Sequence, residues 1–307
     1  MRLAVGLLLL LVAGVWLTLD AQSLAPRRVP PPTVFAVGDI VQCAALDAAE
    51  RTGRLMERLL NETPNSIGIT LGDNSNDDGS LESYDCFDRS TWGKLRSRLE
   101  PVPGNHDYDL DGELPHYFFY FPKAGRPRLG YRAWDLGAWR IYALNSELMP
   151  ELRKAQLDWL EADLRAHYKT KCLLAYFHRP PVSSGEFGSP RGMLLFRPLF
   201  RYGVDLVVTG HEHFFAALPP ITPEGVVNRS HGVPILIAGT GGAVFFDHPS
   251  RLLYADAGET VVARQFGILR MVLNPGTYQW SFVPTDPAAP MPSGSGSCHE
   301  DPPQLRR

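Results

Sequence analysis

At 307 residues, 44% hydrophobic and 21% charged, the chain has an ordinary globular composition and enough length to bury one large α/β core. A formal net charge of −3 provides no basic field. Nucleic acid and anionic lipid surfaces are therefore not expected partners, and any phosphate would have to be held locally.

The N-terminus "MRLAVGLLLLLVAGVWLTLDAQS" places Arg2 before an apolar run from Leu3 to Leu19, the order of a secretory signal. Residues 1–21 read as a signal peptide cut after Ala21, although Leu19 then stands where a small residue is preferred. The alternative is a retained N-terminal anchor, which is the only membrane attachment expected. The run is just short of the ~20 residues that span a bilayer. Export to the periplasm or the medium follows from either reading, and residues 22–32, with "APRRVPPP", read as a stiff Pro-rich linker.

From Thr33 the chain alternates short apolar runs with sharply polar or Gly-containing turns and helical stretches, the pattern of a mostly parallel sheet covered by helices. The runs end at Asp39, Asp73, Ser146, His178, His211 and Gly242, and "PVPGNHDY" reads as a very short seventh. Helical spacing is visible over Ala45 to Glu62 and, through Leu152, Leu157, Leu160 and Leu164, over Glu151 to Tyr168. Gln265 to Pro284 reads as an antiparallel hairpin about a Pro-Gly turn. One domain is thus expected over residues 33–285, with no internal repeat, followed by a tail over 286–307 too poor in apolar residues to fold.

Export makes the four cysteines candidate disulfides. Cys43, four residues after Asp39, and Cys86, thirteen after Asp73, fall in loops leaving the same sheet edge, so a Cys43–Cys86 bridge is expected. Cys172 reads as a buried thiol in a strand and Cys298 as a free one in the tail. Asn61 and Asn228 fit the glycosylation pattern, with Pro64 close behind the first.

Ligands of open α/β sheets bind outside the carboxyl ends of the strands. The residues at those ends are Asp39, Asp73, Asn105, His178 and His211, with His213 two further on, and all are metal-ligand types. Carboxylate and amide oxygens mixed with imidazoles suit Mn, Fe or Zn better than Ca or a thiolate site. One catalytic ion takes about three protein ligands, so this set suggests two ions sharing a carboxylate. Singly, "GD", "GNHD" or "GHEH" is weak, because turns and core histidines account for most such matches.

Taken in order, "GD" at 38–39, "GDN" at 72–74, "GNHD" at 104–107, His178 and "GHEH" at 210–213 resemble the signature of the calcineurin-like metallophosphoesterases. The context around "GDNSNDDGSLESYDCFD", together with "GTGG" at 239–242, is most similar to their purple acid phosphatase branch. The resemblance implies a single-domain α/β fold in which a two-sheet β-sandwich is flanked by helices. It implies that Asp73 bridges two ions, that Asn105, His178 and His211 complete one site, and that Asp39 and His213 hold the other. It also implies that His106 stands near the leaving-group oxygen with Asp107 available to orient it, and that Asn105 lies within reach of the substrate.

The sequence departs from that pattern in three places. Val41 stands where many members have His, and Asn76 stands where purple acid phosphatases have the Tyr ligand. Asn76 is therefore the candidate neutral ligand of the first ion, with Asp77 or water as alternatives, and the purple colour is not expected. Arg179 follows His178 where the branch often has a second His, and its guanidinium could bind a phosphate oxygen.

The chemistry implied is hydrolysis of small-molecule phosphate esters by in-line attack of hydroxide, with His106 protonating the departing oxygen. Phosphomonoesters are favoured by the branch. The alternatives are a nucleotide or cyclic-nucleotide phosphodiesterase, in which "HYFFYFP" (His116 to Pro122) could stack a base, and an inactive metal-binding member prompted by Val41 and Asn76. No "GxSxG" elbow supports a serine route. Oligomeric state is not legible.

Overall fold

The structure, a computed structural model, describes residues 29–246, 249 and 251–299. The expected signal or anchor over residues 1–21 lies outside them. In chain order the elements are β1 (Thr33–Val37), α1 (Leu46–Glu62), β2 (Ser66–Leu71), α2 (Leu81–Arg89), α3 (Thr91–Leu95), β3 (Leu99–Val102) and α4 (Pro115–Tyr120). β4 (Arg132–Leu136), β5 (Trp139–Ala143), α5 (Pro150–His167), β6 (Cys172–Phe177), α6 (Pro190–Arg201), β7 (Leu206–Thr209), β8 (Phe215–Ile221) and β9 (Val233–Ala238) follow. β10 (Thr260–Val262), β11 (Gly267–Asn274), β12 (Thr277–Pro284) and β13 (Ser293–Ser297) complete the described chain.

These strands form two mixed sheets rather than one mostly parallel sheet, with orders β13-β12-β11-β1-β2-β3 and β10-β8-β9-β7-β6-β5-β4. Within them β1, β2 and β3 run parallel, as do β5, β6, β7 and β9. The antiparallel members β11 and β8 close the pattern beside them.

Strand periodicity builds the layers. Alternate side chains point to opposite faces, so Val34 and Ala36 enter the core between the sheets while Phe35 and Val37 face outward. Ile69, Leu174, Tyr176, Val208 and Leu236 fill that inter-sheet core. One outer face is covered by α1 through Leu55, Met56 and Leu60 and by Trp92 of α3. The other is covered by Leu160 and Leu164 of α5 and Leu195, Phe196 and Leu199 of α6. Each such large side chain, fully buried, contributes roughly 1.5–3 kcal/mol. The result is the helix-flanked two-sheet sandwich, a single domain.

Both parallel sets bring their carboxyl ends to one edge, which is what places the site. Past β1 and β2 the two loops stay paired: Asp39 N donates to Gly72 O at 3.0 Å, Ile40 N to Asp73 O at 2.9 Å and Asn76 N to Val41 O at 2.7 Å. The parallel ladder is thereby extended, and Asp39 and Asp73 are held side by side.

The tail departs from expectation. Residues 293–297 form β13 on β12, and Cys298 is bonded to Cys172, so neither cysteine is a thiol and the chain is folded well past residue 285. The strand reads Ser-Gly-Ser-Gly-Ser, and its glycines leave room for rings: a Cβ at Gly294 would lie 2.6 Å from Trp280. β12 supplies the apolar surface that the tail's own sequence lacks. The expected Cys43–Cys86 bridge is present, although Cys86 lies in α2 rather than in a loop. Two disulfides suit an oxidising compartment. Among the described residues no helix is long and apolar enough to cross a membrane.

Candidate metal centre

The strand-end residues named from the sequence converge. Asp73 Oδ2 lies 3.2 Å from His178 Nε2, which lies 3.1 Å from Asn105 Oδ1 and 3.0 Å from His211 Nδ1. Asp39 Oδ2 accepts from the backbone N of His211 at 2.8 Å, and Asp39 Oδ1 lies 3.3 Å from His213 Nε2. The outer nitrogens are fixed by carbonyls, His178 Nδ1 at 2.9 Å from Leu71 O and His213 Nδ1 by Val244 O. These contacts leave His178 Nε2, His211 Nδ1 and His213 Nε2 facing inward. Phe246 stacks on the His213 ring at 4.0 Å.

The backbone is bent to achieve this. Asp39, Asp73 and His211 all adopt positive φ, at 59°, 50° and 70°. Such conformations are uncommon away from glycine, and their coincidence at one site is the kind of strain that folds retain for function. Gly72 (φ 87°) is needed both for its turn and for the approach of His178, whose Nδ1 would lie 2.6 Å from a Cβ there.

Electrostatics match a cation site. Burial opposes charge on His178, yet Asp73 holds its pKa up at about 10. Burial likewise opposes ionisation of Asp73, but His178 and His106 hold its carboxyl well below the usual range. His211 goes the other way: burial, then the positive charges of His178 and Arg179, push it down to about 2, so its imidazole stays neutral. The cluster thus carries a proton where an ion would supply positive charge. Asp39 Oδ1 and Asn76 Oδ1 are buried without an aligned hydrogen-bond donor. Ligating atoms of Asp73, His178 and His211 lie within 4.8 Å of one another. This donor set fits the two ions implied by the sequence, with Asn76 buried at the sequence position of the missing phenolate. Val41, the other departure, is fully buried in the core between β1 and the α1 layer.

His106 donates its backbone N–H to Asp73 Oδ1 at 2.8 Å, and its Nδ1 lies 2.6 Å from Asp77 O. Asp107 does not orient it. The buried Asp107 carboxylate instead accepts from Tyr84 OH at 2.6 Å, Gly104 N at 2.8 Å, Asn74 N and Nδ2 at 3.0 Å and Ser75 N at 3.2 Å. It fastens the Asp73 loop to the Asn105 loop. Burial and the Asp73 charge raise its pKa to about 6 against those donors.

Arg179 reaches the cluster, its Nη1 lying 2.8 Å from His211 Nε2, but it is not a free surface cation, because Glu147 binds its Nε at 2.9 Å. Sequence reasoning passed over Glu147. It directly follows the run ending at Ser146, so the strand-end rule could have found it. The aromatic segment proposed for base stacking is mostly packing: Tyr117, Tyr120 and Phe121 are buried, with Tyr84 stacked on Tyr120 at 5.1 Å.

Comparison with known proteins agrees with this geometry. The calcineurin-like phosphoesterase family model matches residues 32–215. The acid phosphatase type 7 of Homo sapiens is 28% identical over 159 residues, covering 43% of this chain and 35% of that protein. A 3',5'-cyclic-nucleotide phosphodiesterase of Nostoc sp. is 27% identical over 169 residues, covering 52% of this chain and 60% of that protein. The chain thus spans less than two thirds of either relative. A purple acid phosphatase from yellow lupin (Lupinus luteus) seeds superimposes with a TM-score of 0.72 at 18% identity, over 88% of this chain and 54% of that one. The chain belongs to the calcineurin-like phosphoesterase family.

Proposed function

We propose that the protein is an exported phosphomonoesterase that works with two metal ions, Mn, Zn or Fe. The observation that carries this reading is the convergence of Asp39, Asp73, Asn105, His178, His211 and His213 at one sheet edge, with imidazole nitrogens facing inward. Asp73, Asn105, His178 and His211 would hold one ion. Asp39, Asp73 and His213 would hold the other, with Asn76 as the neutral ligand. Bound there, the pair supplies hydroxide at neutral pH and offsets the charge of the phosphate oxygens.

The chain's own groups do the rest. Asp77 O accepts from His106 Nδ1, so the protonated ring would carry its second proton on Nε2 and give it to the departing alcohol oxygen. Asn105 and Arg179 contact the phosphate. Asp107 acts by fastening the two loops that carry Asp73 and Asn105. The N-terminal apolar run and the two disulfides support export. The Nostoc relative supports cyclic-nucleotide phosphodiesterase activity as the second reading.

Metal content per chain, measured with hydrolysis of 4-nitrophenyl phosphate and bis(4-nitrophenyl) phosphate, tests the proposal. Two ions and turnover favouring the monoester are expected. Preference for the diester supports the second reading. One ion or none, with no turnover after Mn or Zn is added, refutes both.

A further inference from the structure

Glu147 is a charged residue at this edge that the ligand pattern does not use. Its side chain is only 3% exposed, and an unpaired buried carboxylate costs several kcal/mol. Both its oxygens are engaged. Oε1 accepts from Ser146 Oγ at 2.9 Å and from Arg179 Nε at 2.9 Å, while Oε2 accepts from Arg191 Nη1 at 2.9 Å. The backbone N of Arg179 also donates to Ser146 Oγ at 3.2 Å. The Arg179 fork is therefore gripped at its Nε edge and along its backbone, and its Nη1 is presented 2.8 Å from His211 Nε2. Lysine has a single nitrogen and could not keep the Glu147 contact while also reaching the phosphate.

We infer that Glu147, held in turn by Arg191, is a positioning residue that fixes Arg179 against the phosphate and so sets the preference for monoesters over diesters. This rests on the phosphoesterase reading above. A monoester dianion has three terminal oxygens, and a diester monoanion has two, with a second ester group where the third would be. A guanidinium fixed beside the histidine cluster meets that third oxygen and its extra charge with charge-assisted hydrogen bonds. On a diester it meets an ester oxygen, a weaker acceptor. An Arg179 released from Glu147 would have to be ordered by each substrate, and the advantage of the monoester would shrink.

The test uses the metal-loaded full chain with Glu147→Gln, Arg179→Lys and the double variant. Readouts are kcat/KM for 4-nitrophenyl phosphate and for bis(4-nitrophenyl) phosphate, metal content, and affinity for inorganic phosphate by calorimetry. Glu147→Gln is expected to lower the monoester-to-diester ratio about tenfold, as the loss of one well-placed charge-assisted bond implies, with metal content unchanged and phosphate bound more weakly. Arg179→Lys should lower the ratio similarly, and Glu147→Gln should add nothing in that background. An unchanged ratio with metals retained overturns the inference, as does a parallel loss of both activities with the metals. Should Glu147→Gln not fold, Arg179→Lys decides, and an unchanged ratio there overturns it. Absence of turnover in the unsubstituted protein would refute the proposed function instead. Phosphate affinity would still read on Glu147, and equal affinity in Glu147→Gln overturns the inference on its own.

Discussion

Replacing Asp107 by Asn separates the role seen in the structure from the role implied by the motif. Asp107 Oδ1 accepts from Tyr84 OH at 2.6 Å and from Asn74 N at 3.0 Å, and Oδ2 accepts from Gly104 N at 2.8 Å and Asn74 Nδ2 at 3.0 Å. An amide has one oxygen. With that oxygen kept in the Oδ1 position, the new NH2 faces the Gly104 and Asn74 donors, leaving two buried donors opposed and unpaired. At roughly 1–3 kcal/mol for each, Asp107→Asn should destabilise the protein by about 2–6 kcal/mol. In a domain of this size that corresponds to a fall in Tm of roughly 5–20 °C. Because the loops of Asp73 and Asn105 are the elements untied, the metals should dissociate more readily. Circular dichroism melts and metal analysis after dialysis measure both effects. The reasoning fails if Asp107→Asn melts like the unsubstituted protein, keeps its metals and loses rate, since that is the behaviour of a residue that orients His106.

Three other outcomes are expected. Asp73→Asn should abolish turnover and metal retention together, because this carboxylate lies 3.2 Å from His178 Nε2 at the shared position, whereas His106→Ala should keep the metals and lose rate; metal analysis beside initial rates distinguishes them. Replacing Cys172 and Cys298 together by Ser opens a bridge spanning 126 residues, and the loop-entropy relation gives a loss of up to about 5 kcal/mol. β13 should be released, which proteolysis at the tail would detect, and an unchanged melt with an intact tail contradicts the expectation. The third concerns pH in metal-stripped protein. His211 is neutral when folded, its pKa pushed down to about 2 by burial and by His178, so below the unfolded value of ~6.5 the unfolded chain binds the extra proton. Stability should then fall with falling pH by up to about 1.4 kcal/mol per unit. His178, raised to about 10 by Asp73 against its burial, contributes stability that is present below ~6.5 and lost as pH rises toward 10. Asp107, raised to about 6, contributes stability that grows as pH falls from about 6 toward ~4 and offsets part of the His211 loss. The Tm of stripped protein should therefore be highest between about pH 5 and 7 and fall toward pH 10, and a Tm that rises from pH 7 to pH 10 contradicts the assignment.

Most strands were legible because each is a short apolar run ending at Gly or a sharp polar turn, as at "GITLGD". β4, β8 and β10 were not read, because they are antiparallel members with weaker signals, and β8 carries Pro219 and Pro220 within it. α4 was read as an aromatic run rather than a helix. The adjacency of His106 and Asp107 in "GNHD" gave no warning that Asp107 would turn away from His106, because that depends on which donors the Asn74 and Gly104 backbones leave unpaired.

By itself, the sequence named the candidate ligand set. Residue type and strand-end position are local properties, so Asp39, Asp73, Asn105, His178, His211 and His213 could be named without a structure. It also determined the one apolar stripe or alternation per element from which the layers are built. Only the tertiary structure decided which strands share each sheet, that β13 folds under Trp280 and Tyr278, and that Arg179 is gripped by Glu147. Each of these depends on a partner far away in the chain. A serine-glycine strand, a buried carboxylate and a strand-end arginine have no preferred fate until the surface or charge that completes them is brought alongside.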